Sequence, residues 1–549
     1  MKSPRSVFRP RDEQGFALIA ALCVLMLTAV LAAAFMATSV GESTQASNVH
    51  IARGALLSAD AGVRTMQQVL ANMSRAKLDS CLDAWPGGTA PVITAPQNLF
   101  PAGNLAPTTS TNPRFSSTGS ITFSSETLQD STQVYDFVYT VTSTGSYGAF
   151  GARSVQSQGV LRVSASRGSF ADYLMFTQIH TMADGGTIWF SSSGTFDGRV
   201  HTNGIFRFAY APQFYDEVTS VNNNAWYYNK GNPKQLASSH NGTVDVPNFY
   251  GGFERGADAI TLPANAFDQQ NAALGLPAKN SPPPTTARVD SVLGVSGSPT
   301  PSGIYLVHSA ANVVTGGLYV QGNLDQMLSK VDASGRQVYQ LKQGAVTRTY
   351  TIDRAANTTT MQEGATSVTY TGQPRGIVYA TGQISDLRGP DRVANVPPPA
   401  LALGTKVLVA AAGDIIVKRD LTYADYNNVT DDNGSVLGLY SSGGSIRIGS
   451  GAPNDMYLDG YVMAIGASGE LSVDDYGSGT PRGTFHLRGG MVARYYGAFY
   501  TFDTSGKLNH GYARDFHYDQ RGLIPPYYPT TDRFHPDYPS ARTLVWKEI

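Results

Sequence analysis

Only two of the 549 residues are cysteines, Cys23 and Cys81. Cys23 lies inside a long apolar run and Cys81 well beyond it, so with that run in lipid or a helix bundle the two cannot meet within one chain. A disulfide framework is excluded. Cys81 is then a free thiol or a link between chains, and Cys23 a small apolar filler. Charge is scarce as well: Asp, Glu, Lys and Arg make up 15% of the chain, with a formal net charge of −1. Lys and Arg do not cluster outside the N-terminus, so the electrostatic footprint of a nucleic-acid partner is missing. The signatures HExxH, CxxC pairs and GxSxG are absent, which removes the best-defined metal and nucleophile motifs. Proline is missing between Arg11 and Trp85, which permits one uninterrupted helix there.

What the chain does have is 57 glycines, 29 tyrosines and abundant Ser, Thr and Asn. That composition describes many short strands and turns, common in exported β-rich proteins. From Phe16 to about Val40 there is no charge, a run of roughly 25 residues where about 20 suffice to cross a bilayer. Lys2, Arg5, Arg9 and Arg11 precede it, which by the positive-inside bias keeps the N-terminus cytoplasmic and sends the rest outside. A helical pattern continues beyond the run, with Val49, Ile51, Ala52, Ala55, Leu56, Ala59, Val63, Met66 and Leu70 recurring at near-helical spacing. One helix to about Met73 would be roughly 85 Å long at 1.5 Å per residue, and its amphipathic half needs a neighbour for the apolar stripe.

The join "RDEQG-FALIAAL" (Arg11 to Leu22) resembles the processing site of type IV pilins and pseudopilins. The resemblance implies cleavage between Gly15 and Phe16 by a prepilin peptidase, N-methylation of Phe16, and retention of the apolar helix as a packing element. Residues 8 to 75 are similar to the N-terminal domain of PilX-type minor pilins. The distinguishing segment is Ser58-Ala59-Asp60-Ala61-Gly62-Val63-Arg64, in which Ala59, Asp60, Ala61, Gly62 and Arg64 carry the motif. Major pilins place a glutamate five residues into the mature chain, where it neutralises a neighbour's N-terminal ammonium; here that position is Ala20. An unpaired buried ammonium is costly, so this subunit suits one end of a filament rather than every shaft position. Two other readings of the run stand beside this one. Ala32-Ala33-Ala34 offers an ordinary signal-peptidase site, releasing a protein that begins near Phe35, and an uncleaved anchor is the third. The helical pattern running through residues 32–34 favours retention of the segment.

Beyond the helix, residues 76 to 119 read as a Pro/Gly/Ser/Thr-rich loop or linker. The alternation of Tyr135, Phe137, Tyr139, Val141 and of Val155, Gly159, Leu161, Val163 predicts antiparallel strands up to about residue 168. Residues 169 to 520 then set glycines (Gly204, Gly322, Gly382, Gly413, Gly444, Gly469, Gly490) at or just before short apolar strands, the last five 31, 31, 25 and 21 residues apart. This spacing predicts a β-solenoid resembling a parallel β-helix, with glycines allowing tight corners; a β-sandwich is the alternative. Residues 277–302 are expected as a coil insertion and 336–372 as exposed hairpins, with 521–549 as a C-terminal cap or tail. The fold expected is thus α+β and mostly β: a leader (1–15), a transmembrane and amphipathic helix (16–75), a linker with a small sheet (76–168), the solenoid and the cap. The segments at 172–176, 198–208, 458–464, 511–521 and 525–534, with Trp546, also resemble an uncharacterised domain that accompanies PilX-like N-termini in bacterial envelope proteins.

Candidate chemistry gathers late in the chain, at His510, Asp515, His517, Asp519, His535 and Asp537, with His201 earlier. These residue types could ligate a metal or form an acid/base pair in a glycan-cleaving β-helix, but their spacing fits no ligand pattern and reads as a tied-down cap. Asp431 to Gly434 reads as a turn, since Val429 stands where a calcium loop needs its first carboxylate. The runs around Trp226 and Tyr495 could stack on sugars or stabilise sheets. The expectation is a pilus-assembly or adhesion subunit with no catalytic residues, metal or cofactor. Its partners are other pilins and minor pilins, the inner-membrane assembly machinery and the prepilin peptidase; its location is the bacterial inner membrane, single-pass, then the periplasm and pilus. The rival is a membrane-tethered enzyme acting on polysaccharide, or an adhesin outside a filament.

Overall fold

The computed structural model describes residues 13–83, 104–129, 132–148, 151–228, 232–238, 247–263, 267–278, 282–425, 434–504 and 506–549. The chain divides into two units, one of residues 1–167 and 534–549 and one of 168–533. The protein is mostly β, with a long N-terminal apolar helix, a small antiparallel sheet and a large solenoid.

In the first unit α1 (Glu13–Asp83) is one helix, ten residues longer at its C-terminal end than the pattern to Met73 indicates. Side chains from Phe16 to His50 are exposed, and burial begins in the amphipathic half, at Ala55, Ala59, Val63, Met66 and Leu70. That stripe covers the sheet of β1 (Asn104–Thr111), β2 (Arg114–Gln129), β3 (Thr132–Tyr147) and β4 (Gly151–Ser169), antiparallel in chain order. The expected linker is therefore shorter, since strands begin at Asn104. Tyr135, Phe137, Tyr139 and Val141 point into the core with Leu161 and Val163, as their alternation requires. The fifth strand, beside β4, is Thr530–Glu548 at the far end of the chain. The 521–549 segment is thus divided: residues 521–533 stay with the second unit and 534–549 join the first. An edge strand with unpaired N–H and C=O groups favours such an addition; the Ile549 N–H donates to Ser154 O at 2.9 Å.

The second unit is a parallel β-helix. Its first sheet stacks Val314–Gln321, Ile377–Ala380, Lys406–Ala411, Val436–Ser441, Met456–Ala464 and Pro481–Tyr496, all parallel. The stack then continues not with later residues but with Met175–Ile179, Val200–Thr202, Val218–Ser220 and Phe253–Arg255. One inward column runs unbroken through both parts: Leu318, Val378, Val409, Leu439, Val462, Met491, Met175, Val200, Val218 and Phe253. The chain enters mid-stack at Met175, winds to one end, crosses over through residues 256–302 and winds back from the other. This order departs from the simple succession of coils that the glycine spacing suggests. The crossover is no plain coil: α2 (Phe267–Ala273) and α3 (Thr286–Leu293) lie on the outer side of the first sheet, where Ala272, Ala273 and Val289 share a core with Tyr319, Tyr379 and Tyr440.

The glycine corners are real; Gly322 has the left-handed backbone expected, with φ 97°, while at the later corners the reason is different. Gly382, Gly413, Gly444 and Gly469 join successive strands without a positive φ. A Cβ at Gly382 would collide with Asn323, and one at Gly444 with Asp414 on the preceding rung. Close approach of rungs, rather than left-handed backbone, excludes a side chain there. Gly490 lies inside Pro481–Tyr496, not at a corner. The 336–372 hairpins are not free protrusions either: Tyr339, Leu341, Tyr350, Ile352 and Tyr370 are buried in the solenoid core. An open solenoid end would expose its apolar interior, and this antiparallel array covers it.

Candidate functional site

The helix of the first unit carries the motif residues recognised in the sequence. Gly15 lies within α1; Phe16 and Ala20 are in its exposed apolar part. Among the described residues α1 is the one helix long and apolar enough to cross a membrane. Further along, Ala59 is fully buried and Gly62 faces the sheet so closely that a Cβ would collide with the hydroxyls of Ser143 and Ser117. From the other side, a Cβ on Gly145 of β3 would run into the backbone of Ala59 and Ala55. Asp60 and Arg64 pair at 2.9 Å across one helical turn on the solvent flank, with Ala61 half-buried beside them. The Ala-Asp-Ala-Gly-x-Arg segment is thus a helix–sheet contact of small residues with a charged edge. The side chain of Cys81 lies outside the described residues, and Cys23 is an exposed free thiol in the apolar run.

Beside the first sheet and a second one that stacks Ile384–Arg388, Ile415–Val417, Ile446–Ile448 and Glu470–Val473, a third sheet of the second unit carries Asp515 and His517. Its inward column is Leu421, Leu458, Leu487, Phe516, Phe196, Phe214 and Phe249. Phe196, Phe214 and Phe249 stack in turn, at 5.0 Å and 5.4 Å between centroids. Side chains one position either side of these point outward. His486 Nδ1 lies 2.8 Å from Asp515, while His517 lies 3.0 Å from the other oxygen of Asp515 and 3.2 Å from Asp197. These two imidazoles hold the Asp515 carboxyl well below the usual carboxylate range, and Asp515 in turn raises His517. His486 stacks on Tyr457 at 4.5 Å.

Asp515 and His517, two residues apart on one strand, share its outward face, and the register adds a partner for each, His486 for Asp515 and Asp197 for His517, that the sequence reading passed over. The signal for both was parity: His486 flanks inward Leu487, and Asp197 flanks inward Phe196. The other candidates are scattered. His510 Nδ1 is 2.6 Å from Gly479 O. His201 is buried between Thr219 and Asn203 and stacks on Phe176. The side chains of His535 and Asp537 and residues 431–433 lie outside the described residues. Among the described residues no three His, Cys, Asp or Glu side chains are grouped as a metal site.

Asp519 belongs to a buried network beside this sheet. Arg521 pairs with Asp519 at 2.6 Å and Asp425 at 3.3 Å, all three almost wholly buried. Arg488 approaches Asp459 at 3.4 Å. Burial pushes Asp459 up to about 7 against the opposing pull of Arg488.

Residues 134–222 match a family described as a domain of unknown function (DUF4900). No curated protein matches the sequence. Among solved structures, the chain is similar to the competence-associated pilin ComZ from Thermus thermophilus, at 11% identity and a TM-score of 0.31, over 91% of this chain and 98% of that one. At that score the likeness bears on neither fold nor function.

Proposed function

We propose that this chain is a minor pilin-like subunit of a type IV pilus or related filament, active in assembly, adhesion or both. In this reading a prepilin peptidase cuts between Gly15 and Phe16, α1 holds the subunit in the inner membrane with the N-terminus cytoplasmic, and the same helix later packs among other pilin helices. The observation that carries the proposal is the single helix α1, exposed and apolar over its first half and buried on an antiparallel sheet over its second. A helix built only as an anchor has no need of the close Gly62 and Gly145 contacts. Ala20 supports a place at a filament end. No catalytic role is assigned: Asp515, held ionised between two histidines, is poorly suited to donate a proton.

N-terminal sequencing of the mature protein tests the processing step, with methyl-Phe16 expected. Shearing filaments from cells should recover the protein with them, and deleting its gene should shorten or abolish pili. Intact filaments together with a protein that still begins at Met1 would overturn the proposal.

A further inference from the structure

We infer that three carboxylates and two guanidiniums buried together in the second unit keep one proton near neutral pH, and that losing it loosens the strap of chain that follows the strand Leu508–Tyr518. The strap, residues 519–528, reaches the outer side of the first sheet, where Leu523 and Tyr528 share a core with Tyr440 and Tyr461. Its start is fastened by Asp519 and Arg521 of the strap itself and by Asp425, Asp459 and Arg488 of the solenoid. Asp425, Asp459, Asp519 and Arg521 are 7%, 2%, 3% and 7% exposed, and the Arg488 side chain 14%. The inference goes beyond the pilin reading and stands without it.

Two guanidiniums balance two carboxylates. A third ionised carboxylate would stand uncompensated out of water, which costs more than taking up a proton. Arg521 donates to Asp519 at 2.6 Å, to Asp425 at 3.3 Å and to Ser435 O at 2.9 Å, and Asp425 also accepts the Ser435 N–H at 2.8 Å. Asp459 is the deepest of the three acids and has the longest ion pair: its Oδ2 accepts the Tyr423 N–H at 3.0 Å and lies 3.4 Å from Arg488. The proton therefore sits on Asp459, whose carboxyl is pushed up to about 7 by burial. The groups around it are accounted for. Arg488 and Arg521 both lie over the Tyr423 ring, 5.3 and 5.1 Å from its centroid, and burial raises Tyr423, Tyr461 and Tyr518, which keeps these phenols uncharged. Asp420 is held by Arg392 at 2.6 and 2.8 Å. His517, beside Arg488 in the register, is raised from 6.5, so its own decline lies at higher pH. Asp459 is raised from 3.8 to about 7 on folding; the stability it contributes is complete below 3.8 and is lost as pH rises through the folded value. Above that pH the excess charge weakens the contacts between residues 421–425 and 519–521.

The test uses the full chain in detergent and measures hydrogen-exchange protection factors, corrected for the intrinsic pH dependence of exchange, at about pH 5 and about pH 8. In the parent, protection of residues 421–425 and 519–523 should fall by about tenfold or more between the two, while the first-sheet strand Val314–Gln321 holds its protection. Asp459→Asn keeps an acceptor for the Tyr423 N–H and cannot ionise. It should match the parent at the lower pH and exceed it by about tenfold or more at the higher. His517→Gln should leave the parent's fall in those two segments in place. Three results overturn the inference: a parent profile that is flat between the two pH values, a loss spread equally over Val314–Gln321, or Asp459→Asn protected no better than the parent at the higher pH. The first two need no variant, so they decide the matter even where Asp459→Asn fails to fold. None depends on filament assembly, so a failure here is separate from a failure of the pilin reading, which N-terminal sequencing decides.

Discussion

In the first unit a helix lies on long strands that follow one another as hairpins; in the second, short strands stack on partners far away in sequence. The strands β2, β3 and β4 have 16, 16 and 19 residues, and each pairs with its neighbour in the chain. Strands of the solenoid are often three or four residues long, and Phe516 sits beside Phe196. Register in the first unit is fixed by turns. In the second only the inward columns can fix it, because a slip by one residue would turn every core side chain to solvent. The two units should therefore fail differently when a side chain is removed.

The largest effect is expected in the phenylalanine column. Phe214→Ala removes a fully buried ring stacked between Phe196 and Phe249, at a cost of about 3–5 kcal/mol. Hydrogen exchange should show protection lost over 194–255 and 485–518 and kept over 114–163; equal loss in both would mean that the units do not fail separately. Arg521→Met is expected to cost about 3–5 kcal/mol as well, since it strands Asp519 and Asp425 without their cation. The lowered denaturation midpoint should be partly restored by acid, which protonates the stranded carboxylates.

Gly145→Ala probes the first unit instead. Its methyl group meets the α1 backbone at Ala59 and Ala55, and overpacking of this kind costs about 1–3 kcal/mol. Protection should fall in residues 54–70 and the sheet while the solenoid is unaffected. A loss confined to the solenoid would sink that account of the small-residue motif.

The smallest effect is a pH dependence local to the third sheet. Asp515 is depressed from its usual 3.8, so its contribution is in place above that value and lost as pH falls through the folded value. His517 is raised from 6.5, so its contribution is complete below 6.5 and lost as pH rises through its higher folded value. Stability from the pair therefore peaks between the two. His517 is half-exposed, and solvent keeps its share below about 1 kcal/mol. His517→Gln should flatten the alkaline decline in exchange protection of residues 513–518 and leave the acid decline; an unchanged alkaline profile would assign the decline to another group.

Much of the first unit is legible in the sequence. A period of 3.6 places Ala55, Ala59, Val63, Met66 and Leu70 on one helix face, and a period of two places Tyr135, Phe137 and Tyr139 on one sheet face. Both are properties of a few consecutive residues. In the second unit the same period marks the outward histidines and aspartates. It could not show that Asp515 meets His486 or that His517 meets Asp197, because those meetings depend on which rung lies next to which. The corner glycines were visible by their spacing, while the need for them came from the adjacent rung.

The sequence by itself determined the apolar helix, the alternation of strands and the recurrence of corners, because each follows from backbone geometry over a few residues. The tertiary structure alone decided that the rungs stack out of chain order, that the 336–372 hairpins close the solenoid end, and that the last strand returns to the antiparallel sheet of the first unit. Those outcomes are set by which apolar faces and strand edges can be covered together, and covering is indifferent to distance along the chain.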